Sequence, residues 1–241
     1  MYKQYFKMRF QAKEAKAIFT ILVFYSLVAY INPNILAQTA WEKKPSFYMA
    51  NYAGFFFWFA ALFFVIPLYA VYLQPNYNYF HNINVIYRYK SLIRYWNIRV
   101  RITFLESSLF VSFLYLLMLI RAAYFHQLYH YIENRSFFLK SFCIQILAFT
   151  LFAVLYAFFS DIFNKAVLGF VCAYLLFAYD FIAANTGLPQ IYILCTISLR
   201  PEDLPIYWPI FIMISVLLIV FTILGPVLLN RKDNYQKVVL K

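Results

Sequence analysis

Twenty consecutive residues of this chain, GFFFWFAALFFVIPLYAVYL at positions 54–73, include no charged side chain. A run of about 20 apolar residues is long enough to cross the hydrocarbon core of a bilayer as a helix. The rest of the chain has the same character, since 65% of its 241 residues are hydrophobic and only 12% are charged. Soluble domains average about 25% charged residues, so the composition excludes a water-soluble globular protein.

Six apolar segments have the length that a membrane-spanning helix requires. They lie at about 17–31, 51–73, 102–120, 137–159, 164–184 and 208–229. The first is expected to be a retained span and not a signal peptide, because it ends in Tyr30 to Pro33 and lacks the small residues of a cleavage site. Pro67 predicts a kink in the second span. The sequence therefore predicts an all-α polytopic membrane protein with a single transmembrane domain, 1–241.

The basic residues set the expected orientation of these spans. The chain has 21 Lys and Arg against 9 Asp and Glu, a net charge of +12. Fifteen of these cations precede the first span, follow the sixth or fall in the second and fourth loops, whereas five fall in the other loops. Because cytosolic loops carry the excess of Lys and Arg, both termini are predicted to be cytosolic. Nucleic-acid binding is disfavoured, since no polar stretch is long enough to form a basic domain.

The segment 86–101, between the second and third spans, has the periodicity of an amphipathic helix. Apolar side chains recur at steps of three and four, and polar ones follow the same rhythm one position later. The apolar stripe comprises Ile86, Tyr89, Ile93, Trp96 and Val100, and the polar stripe comprises Lys90, Arg94, Asn97 and Arg101. No Gly or Pro separates this helix from the third span. Such a helix either lies on anionic lipid headgroups or inserts into a cytosolic partner, and the periodicity favours neither.

In local pattern, the sequence YRYKSLIRYWNIRVRITFLESSLF at 87–110 resembles the permease subunits of type-2 ABC exporters. In layout the resemblance covers the whole chain: a basic N-terminal segment, six spans and both ends in the cytosol. It implies that the basic helix is a coupling helix that docks on a separate ABC ATPase subunit. The residues implied in that contact are Tyr89, Lys90, Ile93, Arg94 and Trp96. The resemblance also implies a second permease copy or a similar permease, and re-entrant short helices at 185–207.

No ATPase motif accompanies this pattern. None of the four glycines begins the phosphate-binding loop G-x-x-x-x-G-K-S/T. ATP and Mg are therefore expected only in the partner subunit, and the chain itself is predicted to be neither an enzyme nor bound to a cofactor. Its expected function is export of a peptide, lipid or glycolipid-like substrate across the cytoplasmic membrane of a bacterium. The alternatives are a secondary transporter driven by an ion gradient and, third, a membrane-embedded hydrolase.

Three charged residues lie within the predicted spans and away from their first two residues: Glu106, Lys140 and Asp180. Charges inside a span are costly, so they are candidates for function. Glu106 is expected to reach toward Arg99 or Arg101 near the cytosolic surface. Lys140 and Asp180 each lie about one turn from the outer surface on consecutive spans, which predicts an ion pair. The alternatives for these two are separate snorkelling to the surface and a role in the transport pathway.

Two histidines, His126 and His130, are four residues apart, with Glu133 three residues further on. On one helix these side chains could share a face and bind a metal ion. The sequence HQLYH lacks the glutamate of the zinc-peptidase motif, so an interfacial position just outside the third span is favoured and no metal site is predicted. His81 lies in a polar loop, and the sequence indicates no partner for it.

Overall fold

The structure is a computed structural model that describes residues 5, 16–23, 52, 54–81, 91–124, 126, 128–199 and 205–239, the last nine by their backbone alone. The described residues form helices and irregular segments, with no strand among them. The predicted all-α fold is therefore confirmed.

The helices are numbered in chain order. They are α1 Trp58–Phe80, α2 Leu92–Tyr124, α3 Leu128–Glu133, α4 Arg135–Phe163, α5 Ala166–Thr186 and α6 Tyr207–Val239. Residues 16–23 are also helical. A 3₁₀ turn at Leu194–Thr196 lies between α5 and α6.

Five of these helices are long and apolar enough to cross a bilayer: α1, α2, α4, α5 over Ala166–Ala183 and α6 over Tyr207–Asn230. They correspond to the second to sixth predicted spans. Of the first predicted span, only residues 17–23 are described, and they are helical. The total of six spans and the cytosolic position of both termini therefore stay predictions.

Helix α4 lies at the centre of the bundle, in contact with α2, α5 and α6. In its most apolar 18-residue window 67% of the residues are buried, against 17% in the corresponding window of α6. The exposed side chains of α6 are large and apolar, and they include Trp208, Ile212, Ile219 and Ile223. An apolar outward face is what a helix in contact with lipid requires, so α6 lies at the periphery of the bundle.

The hairpin of α4 and α5 depends on one glycine. Asn164, in a left-handed conformation with φ of 55°, and Lys165 form the turn between the two helices. A Cβ atom built on Gly169 of α5 would lie 1.9 Å from Oγ of Ser160 on α4. No side chain fits in that space, so glycine at this position sets how closely the two helices pack.

Helix α1 contains a π-helical turn at Ala61–Val65, close before Pro67. Proline has no backbone N–H to donate, and π turns are a known cause of kinks. The π-helical turn is a local change in helical hydrogen bonding just before Pro67, and the kink itself stays a prediction. Helix α1 then continues through Pro75 to Phe80, beyond the predicted end at residue 73.

Helix α2 is continuous over 33 residues. At 1.5 Å per residue its length is about 50 Å, well beyond the hydrocarbon core of about 30 Å. The prediction that the basic helix enters the third span without a break is confirmed from Leu92 onward. Residues 82–90, including Tyr89 and Lys90 of the predicted contact, lie outside the described part of the chain.

The described residues between α5 and α6 form an irregular segment in which the 3₁₀ turn at Leu194–Thr196 follows residues 188–193 without helix. Ile193, Leu194, Ile197 and Leu199 of this segment are buried in the core. The implied pair of re-entrant helices is not formed over residues 188–199, while residues 200–204 are outside the described part.

Candidate functional site

A salt bridge joins α2 to α4 inside the bundle. Nη1 of Arg99 lies 2.7 Å from Oδ2 of Asp161, and the two side chains are only 2% and 6% exposed. The same guanidinium lies 5.4 Å from the ring centroid of Trp96 and 5.7 Å from that of Phe80. Removing one partner of a buried pair leaves an uncompensated charge, so this contact fixes α2 against α4.

Asp161 also contacts His81, the residue that directly follows α1. Nε2 of His81 is 2.9 Å from Oδ1 of Asp161. Nδ1 of the same ring is 3.0 Å from the backbone oxygen of Tyr77, and the Tyr77 ring stacks on it with centroids 3.7 Å apart. Both partners of the imidazole are acceptors, so only its doubly protonated form donates to both. His81, Arg99 and Asp161 together form the polar cluster, which ties α1, α2 and α4.

Glu106 is fully buried on the same side of α2. Its Oε2 accepts a hydrogen bond from Nδ2 of Asn76 at 2.7 Å, and its Oε1 accepts one from the hydroxyl of Tyr5. The prediction that Glu106 reaches toward Arg99 or Arg101 is wrong, because Arg99 is held by Asp161 while Arg101 is exposed.

One residue bound to each of the two carboxylates lines a small cavity. Its volume is about 10 Å³, close to the smallest space that holds one water molecule. Its walls come from α1, α2 and α4. They are formed by Leu73, Asn76, Tyr77, Arg99, Thr103, Ala153, Tyr156 and Ala157. Asn76 binds Glu106 and Arg99 binds Asp161, so the cavity connects the surroundings of both acids.

Trp96 faces the interior of the bundle. It is 1% exposed and belongs to a buried cluster with Tyr5, Phe80 and Val154. Trp96 is therefore not available for the ATPase contact that the resemblance implied. Ile93, 61% exposed, keeps the outward position that was predicted. Trp96 faces inward because the rotation of α2 about its own axis is set by Arg99 and Glu106, which are buried and bind partners on other helices.

Asp180 binds backbone amides and not Lys140. Its Oδ1 accepts hydrogen bonds from the N–H groups of Ile191 at 2.7 Å and Tyr192 at 3.1 Å, and Oδ2 accepts one from Leu194 at 2.8 Å. Nζ of Lys140 instead lies 5.6 Å from the ring centroid of Tyr207. The predicted ion pair is wrong because the segment after α5 folds back onto Asp180 and satisfies its carboxylate.

The two histidines outside the third span do not share a helix face. His126 lies between α2 and α3 with φ of 56°, whereas His130 belongs to α3. Nδ1 of His130 lies 3.7 Å from Oε2 of Glu133, and both side chains are largely exposed. Within the described residues, no three potential ligands come together to hold a metal ion.

Comparison with known proteins does not indicate where the functional site lies, so the site is assigned from its geometry. No protein-family model, curated protein or solved structure matches the chain. The polar cluster and Glu106 are the candidate functional site, because they bring two buried carboxylates, a guanidinium and an imidazole to one end of three helices. Such a site can hold charge and couple helix positions.

The sequence did not indicate that Asp161, His81 and Asn76 belong to this site. A signal for the inward face was present in α2, where Arg99, Thr103 and Glu106 follow one another at steps of four and three. Polar residues at that spacing on an apolar helix usually face the bundle interior. No comparable signal indicated which residues of α1 and α4 are their partners.

Proposed function

We propose that the chain is the permease subunit of an ATP-driven exporter, similar to those of type-2 ABC exporters, and works with a separate ATPase. The proposal is supported by five apolar helices of spanning length and by a sequence without a phosphate-binding loop. The substrate is a peptide, lipid or glycolipid-like molecule. A second permease copy or a similar permease completes the transmembrane part.

One observation carries this proposal: the start of α2 is rigidly connected to the ends of α1 and α4. The exposed turn at Ile93 and Arg94 is followed within two turns by Arg99, which is bound to Asp161. Asp161 in turn contacts His81 at the end of α1. A packed interior deforms little, so a displacement applied to the exposed turn would be passed on to all three helices. That stiffness is what a coupling element needs.

The contact surface for the ATPase follows from exposure. Ile93 and Arg94 are exposed at the start of α2, whereas Trp96 is buried and is not available to a partner. Tyr89 and Lys90 stay in the proposed surface on the basis of sequence alone. An apolar side chain beside a cation suits an interface in which the apolar contact supplies affinity and the charge steers association.

The test is co-expression with an ATPase that is encoded beside this chain and carries a phosphate-binding loop. We expect the ATPase to copurify and Arg94→Glu to reduce the amount retained. The matched control is Lys165→Glu, an exposed cation in the loop between α4 and α5 that is predicted to face the same side. Equal retention and unchanged ATP hydrolysis in an Ile93→Asp, Arg94→Glu double variant would contradict the proposed coupling.

Transport driven by an ion gradient is a second candidate, favoured by the burial of Glu106. Its carboxylate lies inside a helix of spanning length and is held by a tyrosine hydroxyl and an amide. Ionisable groups within spans are common in proton pathways. Proteoliposomes separate the two candidates. If a pH gradient alone drives substrate uptake into the proteoliposomes and Glu106→Gln abolishes that uptake, the second candidate holds. Substrate uptake that requires ATP and the ATPase supports the exporter.

A further inference from the structure

A large apolar cavity lies at the opposite end of α2 from the polar cluster. It is bounded by the last turns of α2, by α3 and by the first turns of α4, and its volume is about 680 Å³. Ligand pockets in proteins commonly measure about 300–1,000 Å³. This cavity is therefore large enough for a substantial part of an organic ligand.

The walls of this cavity are aromatic and aliphatic. Tyr115 packs edge-on against Phe142 with ring centroids 5.1 Å apart, and Tyr131 stacks on Phe138 at 4.6 Å. At the surface, Leu139 of α4 is 66% exposed. An exposed leucine next to an apolar cavity favours an occupant that enters from the lipid side of the bundle.

Two polar side chains lie at the mouth of the cavity. Arg135 and Ser136, both exposed, line it at the first turn of α4. No carboxylate lines the cavity among the described residues, and Glu133 lies 3.7 Å from His130.

We propose that this cavity binds a membrane phospholipid with an anionic headgroup. An acyl chain fills the apolar space, and Arg135 binds the headgroup phosphate. The positive charge at the cavity mouth, without a carboxylate in the lining, selects an anionic over a zwitterionic headgroup. This lipid site lies at the other end of α2 from the proposed ATPase contact, so it does not depend on the exporter proposal.

The experiment measures lipid retention by the full chain in detergent, using native mass spectrometry. Phosphatidylglycerol and phosphatidylcholine with identical acyl chains are the probes. We expect Arg135→Gln to weaken phosphatidylglycerol binding about tenfold, which corresponds to the loss of one charged hydrogen bond. Phosphatidylcholine should bind weakly to both forms. The matched control is Lys140→Gln, five residues later on α4, where the cation lies near Tyr207 and does not line the cavity.

A second variant tests the apolar part of the site. Leu139→Trp places a bulkier side chain at the cavity and should reduce retention of phosphatidylglycerol while leaving Arg135 in place. Soluble glycerophosphate should bind far more weakly than the lipid, because it lacks the acyl chain. Equal retention of the two lipids by the unmodified chain would overturn the proposal. So would unchanged binding in Arg135→Gln or Leu139→Trp, or glycerophosphate binding as tight as that of the lipid.

Discussion

Gly225 of α6 lies directly against the indole ring of Trp96 on α2. A Cβ atom built on Gly225 would be 2.1 Å from Cε2 and 2.4 Å from Nε1 of that ring. Helix α6 thus approaches α2 at the level of the polar cluster, where Arg99 contacts the other helices. The start of α2 is held by α6 as well as by α1 and α4, although α6 is the least buried of the long helices.

This contact predicts that Gly225→Ala destabilises the protein. The new methyl group must displace Trp96, and overpacking of this kind costs about 1–3 kcal/mol. The measurement is the thermal unfolding midpoint in detergent. Trp96→Phe supplies the matched rescue, because the phenyl ring is smaller and the indole N–H has no hydrogen-bond partner among the described residues. The double variant should lose less stability than the sum of the two single variants, and strict additivity would contradict the contact.

The polar cluster predicts a graded response to substitution. Asp161→Ala leaves the buried guanidinium of Arg99 without its partner and should cost about 3–5 kcal/mol of unfolding free energy. His81→Ala should cost less, because His81 is 29% exposed and its loss leaves the salt bridge intact.

The control for the cluster is Glu133→Gln, which alters an exposed contact with His130. Exposed pairs are worth about 0–1 kcal/mol, so little change is expected. The measurement is the thermal unfolding midpoint in detergent. A similar decrease of the midpoint in Asp161→Ala and in Glu133→Gln would show that the polar cluster does not stabilise the packing of α1, α2 and α4.

The spans could be predicted from sequence because they depend on apolar length, a property of each segment by itself. Helix α4 is an example, predicted over 137–159 and found at Arg135–Phe163. The charged residues could not be placed in this way, because their position depends on partners that are distant in sequence. Glu106 is held by Asn76 and Tyr5. Neither partner differs in type from the many other Asn and Tyr residues of the chain.

The orientation of Trp96 shows a related limit. Periodicity over 86–101 indicated an apolar stripe but not which structure the stripe contacts. The continuous helix carries Arg99 and Glu106 one and three turns further on, and their buried partners fix its rotation. A short window cannot include that constraint, so Trp96 was assigned to an outside partner although it packs in the protein's own core.

The contacts of Asp180 predict that it stabilises the irregular segment before α6. Its carboxylate accepts hydrogen bonds from three backbone N–H groups, those of Ile191, Tyr192 and Leu194. A hydrogen bond to a charged group contributes about 1.5–3 kcal/mol. Asp180→Ala should therefore lower the unfolding midpoint and raise hydrogen–deuterium exchange in residues 188–199. Lys140→Gln should have no effect on that exchange. Because the two residues do not pair, their effects on stability should add, and a coupling energy beyond about 0.5 kcal/mol would contradict this assignment.

The orientation of the bundle provides the last prediction. The cation distribution predicts that Ser91 and Lys165 are cytosolic and that Glu133 is outside, and all three positions are exposed. The three native cysteines, Cys143, Cys172 and Cys195, are replaced first. Single cysteines are then introduced at positions 91, 133 and 165. A membrane-impermeant maleimide added to intact cells should label Glu133→Cys and leave Ser91→Cys and Lys165→Cys unlabelled until the membrane is opened. The reverse pattern would invert the topology. It would also place Ile93 and Arg94 on the side without ATP, which would exclude them as an ATPase contact.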